Sequence, residues 1–582
     1  MPPEAVSRRI GWTLAAIGLL AAALRVYAVG WGLPDVHHPD EPYILNRALA
    51  FAKGDLSPHN FLYPTLYFYA LFAWEGAFFV LGRIVGLYHS VGEFEREFFV
   101  DPSRVMMAGR LLTATFGVAT IAAVYQFGRR LFDRPTGLGA ALLLAVAPFA
   151  VRDAHYIKHD VPVTLFIVLT QVFLARLVVD PAAAEQRRSW VLAGAMAGLA
   201  LSTQYYAFPI VLAIVAAAAI HARRTRQLSG ALALLLWAGA ACVVAFLLTT
   251  PFIVLEPAIA ARDIAAVRQI DVDRAVSSGG AFGSLDAYVR MIAVDAIGWP
   301  VAIAALAGFA IPCVRCPARG ILLLCFPLAF LAFLANTVPM SRYVNPLLPS
   351  LAVAAAFALT RLARAVRANT SPAFSASLLL IAAVPGFLGS VRADRFYAQP
   401  DTRTQAREFL ERTAPSGATI LVQPHSVQLH ASRDALVEAL RAHLGTESAA
   451  SVKFQKELDA AASTSPSYRV LYLGRVTDGG FDPDKIYISP EALDPASGLA
   501  PLRAQRVAYV ALNQYNGGHQ AFAALNAALQ REAHLLATFS PYRSGVGPDR
   551  RAVTAPFFHN TADRIDPALE RPGPVIQIWR ID

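Results

Sequence analysis

Charged side chains are scarce in this chain: they make up 16% of its 582 residues, against a hydrophobic share of 56%. That shortage excludes an ordinary soluble globule of this length and leaves a membrane as the natural solvent. Cysteine is rarer still, and Cys242, Cys313, Cys316 and Cys325 all fall in or beside apolar runs. The Cys313-Val-Arg-Cys316 spacing, with no second pair and no nearby histidines, reads as two ordinary thiols at a helix end rather than a zinc site. No internal repeat of solenoid period is present. The formal net charge of +10 does not point to nucleic acid, because the basic residues sit in short clusters between apolar runs, as in the cytoplasmic loops of a membrane protein.

What the chain has instead is long apolar segments. Runs able to cross a bilayer lie near 10–30, 105–128, 136–151, 161–179, 190–204, 207–220, 230–250, 292–312, 320–335, 344–360 and 372–391, about eleven spans in all. Arg8 and Arg9 precede the first, whose length suits a signal anchor better than a cleaved signal peptide. Arg129-Arg130, Arg187-Arg188, Arg223 to Arg226, Arg315 with Arg319, and Arg361 to Arg367 fall at alternate ends, which predicts a cytoplasmic N-terminus and an external C-terminus.

The segment Phe61 to Gly86 is apolar enough to span, but counting it as a crossing would put Arg129-Arg130 outside. Glu75 near its middle and its many aromatics suit an interfacial helix within a first external loop, 31–103. A second external loop, 251–293, carries amphipathic helical spacing broken at Ser277-Ser278-Gly279-Gly280. Beyond the last span the composition turns polar. The β-rich runs at 418–422, 468–473 and 506–512, alternating with helical patterns such as 432–444, predict a soluble α/β domain over 396–582. The fold class is therefore a polytopic α-helical membrane module, 1–395, with a C-terminal soluble α/β domain.

The sharpest chemical signal is His37-His38-Pro39-Asp40-Glu41-Pro42, directly after the first span and opening a helical pattern from Tyr43 to Lys53 closed by Gly54. Two adjacent carboxylates at a membrane surface can act on a substrate that arrives along it. They can equally be an N-cap and a first-turn acid. The loop Arg152-Asp153-Ala154-His155-Tyr156-Ile157-Lys158-His159-Asp160 is expected outside, where short loops normally lack positive charge. An anionic lipid phosphate would favour it, whereas a snorkelling loop with Asp160 as N-cap needs no ligand. Arg110 near the outer end of an apolar helix, the tip Gln204-Tyr205-Tyr206, and Ser341-Arg342-Tyr343 are expected on the same face. Ionisable groups in apolar spans are costly and point to function.

These residues resemble the protein O-mannosyltransferase and ArnT-like family of GT-C glycosyltransferases. The resemblance runs over about residues 10–410 and rests on His-Pro-Asp-Glu at 38–41, Leu62 to Tyr67, Gly109-Arg110-Leu111-Leu112, Gly128 to Phe132, Asp160, Arg342-Tyr343 with Leu347-Leu348-Pro349, and Asp401-Thr402-Arg403. It implies a bundle of many transmembrane helices, a polyprenyl-phosphate sugar donor and an inverting transfer. By the resemblance, Asp40 is the catalytic base or acceptor-orienting acid, Glu41 an acceptor contact, and Arg110, Asp160 and Arg342 donor-site residues. Relatives often carry Lys where this chain has Gln204, so Lys158 or His155 is expected to supply that charge. Tyr343 joins the donor set, and His38, Tyr63, Gln204 and Tyr205 the substrate contacts.

The chemistry can be stated independently: a polyprenyl phosphate is a good leaving group, so the site needs cations for its developing charge and a carboxylate to take the acceptor proton. No cofactor is expected, although His and Asp together are legitimate divalent ligands. The partners expected are the donor lipid, the bilayer and an acceptor of undefined class, with no nucleic acid. A transporter or flippase of lipid-linked sugars is the alternative, but its polar groups would gather at mid-membrane rather than at one rim. A third reading makes the chain an anchored binding protein that works through its external domain.

Overall fold

The computed structural model describes residues 3–582 except 278, 367–371, 447–451, 463, 475–483, 490–496, 514–519 and 552–564; Ser278 and Arg367 thus lie outside the described residues. Every predicted span is helical. Helix α1 (Pro3–Val26) leads to a first loop holding α2 (Asp40–Ala50), α3 (Leu66–Ile84) and α4 (Val91–Val100). The bundle continues with α5 (Ser103–Leu131), α6 (Arg134–Ala145), α7 (Pro148–Arg152), α8 (Asp160–Val179), the short α9 (Pro181–Glu185), α10 (Arg187–Thr203), α11 (Ile210–Thr225) and α12 (Leu228–Thr249). After the second loop, formed by α13 (Phe252–Leu255), α14 (Pro257–Ser277) and α15 (Leu285–Arg290), come α16 (Trp299–Arg315), α17 (Pro317–Leu334), α18 (Leu348–Val366) and α19 (Pro372–Tyr397). Among the described residues eight helices are long and apolar enough to cross a membrane, or ten if each of two bent pairs counts as one span. Helix α10, at 17 residues, is shorter than these, and α3 is not among them.

Two spans read as straight are not. The 136–151 run bends by 62° between Ala145 and Pro148, and the 292–312 run breaks by 115° before Trp299. At the first bend Pro148 cannot continue the α6 hydrogen-bond ladder. At the second, Gly298 adopts φ 77°, a conformation open to glycine at little cost, after a π-helical turn over Met291–Ala296. The bend at 146–147 turns the following segment, 148–160, across the end of the bundle.

Between apolar helices in lipid, close approach rather than a hydrophobic difference holds the bundle together. Gly194 and Gly198 of α10 lie so near α12 that a Cβ on either would collide with the carbonyl oxygens of Ala238 and Cys242, and Gly308 of α16 meets Ala354 of α18 in the same way. Arg25 is buried near the end of α1 and donates to the carbonyls of Ala145 and Leu144, tying α1 to the bend after α6.

The C-terminal region begins with α20 (Thr402–Thr413) and includes α21 (Arg433–Leu444), which is capped by Ser432, and α22 (Val452–Ala461). Its strands are β1 (Thr419–Val422), β2 (Arg469–Leu473), β3 (Ile486–Ile488), β4 (Val507–Asn513), β5 (His534–Phe539) and β6 (Ile576–Arg580). They form one sheet in the order β3-β2-β1-β4-β6-β5. β1, β2 and β4 match the predicted runs, whereas β3, β5 and β6 were not anticipated. β1 pairs in parallel with β2 and β4, while β6 runs antiparallel to β4 and β5.

Candidate active site

The first loop enters the site through α2. Neither carboxylate caps that helix: Pro39 holds the N-cap position, and the Asp40 amide donates instead to Nδ1 of His38 at 3.2 Å. With no role in capping, the two acids are directed elsewhere. Glu41 points into the bundle, where it is fully buried. Arg110 Nε and Nη2 reach its two oxygens at 2.8 Å each, and the Ile157 amide donates to Oε1 at 3.0 Å. The remaining Arg110 nitrogen, Nη1, donates to the carbonyls of Val29 and Trp31 at 2.9 and 2.7 Å. A bidentate pair with its other hydrogen bonds supplied is the form in which a buried ion pair is tolerated. It clips together the end of α1, the start of α2 and the 148–160 segment.

Register then places the second acid. With Glu41 bonded to Ile157, the adjacent Asp40 meets the adjacent Lys158, and Nζ stands 2.6 Å from Oδ2. Lys158 is buried, while Asp40 retains 28% side-chain exposure, so the carboxylate is the accessible member. Burial lowers the Lys158 ammonium pKa, Arg342 pushes the same way, and Asp40 and Asp160 oppose them. Asp160, the first residue of α8 rather than its cap, accepts from the Tyr206 hydroxyl at 2.7 Å. Arg342 lies in the field of Asp160, Asp40 and Tyr63, with its guanidinium 5.0 Å from the Tyr343 ring. Tyr343 packs on Tyr206 at 5.5 Å. Tyr63 stacks on His159 at 4.5 Å with the planes 5° apart, and its phenol is pushed well up, by burial first and then by Asp40. Asp40, Lys158, Asp160, Arg342, Tyr343 and Tyr63 therefore form one cluster of two carboxylates, two cations and two phenols at the end of the bundle.

Other expected residues stand apart from it. His155 is buried in the turn after α7, with Nε2 2.7 Å from the Tyr27 carbonyl, Nδ1 3.0 Å from that of Val151, and Asp394 at 3.7 Å. It faces α1 and α19, where its ring also stacks on that of Tyr397 at 6.1 Å. His38 is wholly buried, with its ring 4.6 Å from that of Tyr156, and serves the backbone of Asp40 from below. Gln204 and Tyr205 sit where α10 ends, the Gln204 side chain accepting from the Tyr205 amide. Tyr205 lies in the field of Asp263 on α14.

Asp263 was not anticipated. Its Oδ2 accepts from the Phe61 amide at 2.8 Å and joins the first loop to the second. Tyr43 feels Asp40, Arg47 and Asp263 alike, so one polar face runs from the cluster past Tyr43 and Arg47 to Asp263 and Tyr205. Asp263 gave no periodic or motif signal of its own, since its partner Phe61 lies far away in sequence, whereas Tyr206 and His159 stood in the 204–206 tip and the 152–160 loop without a role assigned to either.

Residues 103–254 match the family model described as dolichyl-phosphate-mannose-protein mannosyltransferase. No curated protein matches the sequence. Among solved structures the chain is similar to ArnT from Cupriavidus metallidurans bound to undecaprenyl phosphate, with a TM-score of 0.54 at 16% identity over 90% of this chain and 96% of that one. The apo state of the same protein gives 0.51 at 15% over 92% and 96%. The Archaeoglobus fulgidus oligosaccharyltransferase tethered to an acceptor peptide gives 0.47 at 14% over 92% and 73%. The resemblance read from the residues holds at the level these findings reach: this is a multi-pass helical protein with the GT-C glycosyltransferase fold, and its segment 103–254 matches the dolichyl-phosphate-mannose-protein mannosyltransferase family.

Proposed function

We propose that the protein is an inverting glycosyltransferase that moves a sugar from a polyprenyl-phosphate donor to an acceptor hydroxyl at the outer face of a bacterial cytoplasmic membrane. The observation that carries this reading is the Asp40–Lys158 pair at 2.6 Å, set beside Arg342 and Asp160 at one end of an apolar bundle. The undecaprenyl phosphate bound in the ArnT structure supports a lipid phosphate as the group these cations receive.

In this reading the resting carboxylate is held by Lys158. An arriving donor phosphate draws Lys158 and Arg342 to itself, and Asp40 is released to accept from the acceptor hydroxyl. The acceptor oxygen attacks the anomeric carbon from the side opposite the phosphate, the bond from that carbon to the phosphate oxygen breaks, and the configuration inverts. The proton passes to Asp40, and the departing polyprenyl phosphate keeps the electron pair under the charge of Lys158 and Arg342. Asp160, held by Tyr206, orients these cations. Tyr63 and Tyr343 wall the sugar, and the face from Tyr43 to Tyr205 receives the acceptor. Glu41 and Arg110 become positioning residues, since each is saturated by the other and by backbone groups. No cofactor enters the scheme.

The test is incubation of membranes carrying the protein with a panel of polyprenyl-phosphate sugars, following release of the free lipid phosphate. Release that depends on Asp40 supports the reading. Movement of intact lipid-linked sugar across the membrane without release would favour the transporter alternative.

A further inference from the structure

Two clefts flank the end of α19 on the face that carries Asp40, with volumes of about 240 and 400 Å³, and both are lined by Arg392 and Ile565. The smaller is walled by Gly386, Gly389 and Tyr397, with Asp295 and Arg152 at its edges. The larger lies between α19 and the C-terminal domain and is lined by Leu388, Phe396, Arg395 and Arg543. Its one carboxylate, Glu570, is already paired with Arg571. Among the described residues no carboxylate pairs with Arg392, Arg395 or Arg543; the Arg392 guanidinium donates only to the Ile565 carbonyl, at 3.1 Å. Directly toward the bundle, Leu380, Ile381, Val384 and Leu388 of α19 are exposed at helical spacing, a stripe that must face acyl chains. The three arginines therefore stand at headgroup depth, immediately above lipid-facing apolar surface.

We infer that these clefts bind one anionic glycerophospholipid of the surrounding leaflet, its phosphate held by Arg392, Arg395 and Arg543 and a chain lying along Leu388 and Phe396. Charge complementarity selects the occupant: arginine suits phosphate, and zwitterionic headgroups would meet an uncompensated positive rim. The donor phosphate has a different place: Arg152, at the edge of the smaller cleft, is held by Asp153 and Ser341, and Lys158, Arg342 and Asp40 line neither cleft. The bound lipid would seat the C-terminal domain, which reaches the cleft through Arg543 and Ile565, at a fixed height above the bilayer. This inference stands apart from the transfer reaction.

It is tested with the full chain in detergent, titrated with short-chain phosphatidylglycerol and, separately, phosphatidylcholine. We expect phosphatidylglycerol to bind near one equivalent and phosphatidylcholine not to bind. Each arginine beside an anionic lipid is worth about fivefold, so Arg395→Glu with Arg543→Glu should weaken binding by at least about tenfold. Arg395→Gln with Arg543→Gln serves if charge reversal prevents folding. Equal binding of both lipids, unchanged binding by the variants, displacement by millimolar inorganic phosphate, or competition by undecaprenyl phosphate would each overturn the proposal, the last by making the cleft part of the donor path.

Discussion

Lys158 faces Asp40 at 2.6 Å because their chain neighbours, Ile157 and Glu41, are hydrogen-bonded at 3.0 Å. The buried Glu41–Arg110 pair thus sets the register of the pair beside it, so a fully buried acid decides where the partly exposed Asp40 stands.

Replacing Asp40 by Asn removes the proposed proton acceptor and keeps the shape. Transfer should fall by about a hundredfold to ten-thousandfold, while the protein still reaches the membrane and binds donor. Lipid phosphate release near the wild-type rate would take Asp40 out of this role.

Lys158→Met and Arg342→Ala each remove a cation from the expected phosphate position. Each should lower turnover by about a hundredfold or more, and Lys158→Arg should recover part of the loss. Donor titration of each variant separates weakened binding from slower chemistry.

The pH dependence follows from the burial of Lys158. A lowered pKa means the ammonium is lost at lower pH than in an ordinary lysine. The alkaline limb of the activity profile should then lie below the usual lysine range. In Lys158→Arg that limb should move upward, and an unmoved limb would assign it to another group.

Glu41→Gln leaves Arg110 buried with half its partner and should cost about 3–5 kcal/mol, read as a lowered unfolding temperature in detergent, with activity falling alongside. Pairing Glu41→Leu with Arg110→Met should restore part of the stability. A Glu41→Gln variant of wild-type stability but without activity would instead return Glu41 to contact with the acceptor.

Glu75 of α3 lies buried against Gly109 of α5, with both oxygens lacking hydrogen-bond partners among the described residues. Burial pushes its pKa up to about 8. The folded protein therefore keeps Glu75 neutral while the unfolded chain ionises it near 4.5, so stability falls as pH rises from about 4.5 to 8 and then levels. Glu75→Gln should be more stable than wild type by a few kcal/mol at pH 8, and the difference should vanish near pH 4. Unfolding temperatures across that range check the sign.

Membrane character was legible from composition and segment length alone, because burying about twenty apolar residues in lipid needs no knowledge of neighbours. The strands at 419–422, 469–473 and 507–513 were legible from dense apolar β-formers, while the short β3, the exposed β5 and the terminal β6 lack that density. Asp40 stood out because two acids beside a span are unusual in themselves. The bends at 146–147 and 298 were hidden inside hydrophobic runs that read as continuous.

Partnership was the part no local pattern could supply. By itself the sequence determined which residues were costly to place in or beside a membrane: Asp40, Glu41, Arg110, Lys158, Asp160 and Arg342. Tertiary structure alone decided that Glu41 and Arg110 neutralise each other in the interior, that His155 turns toward α1 and α19, and that Asp40 and Lys158 remain at the rim. The physical reason is that an ion pair forms between groups brought within a few ångströms, and here the partners lie 69 residues apart in one case and on separate segments of the bundle in the other.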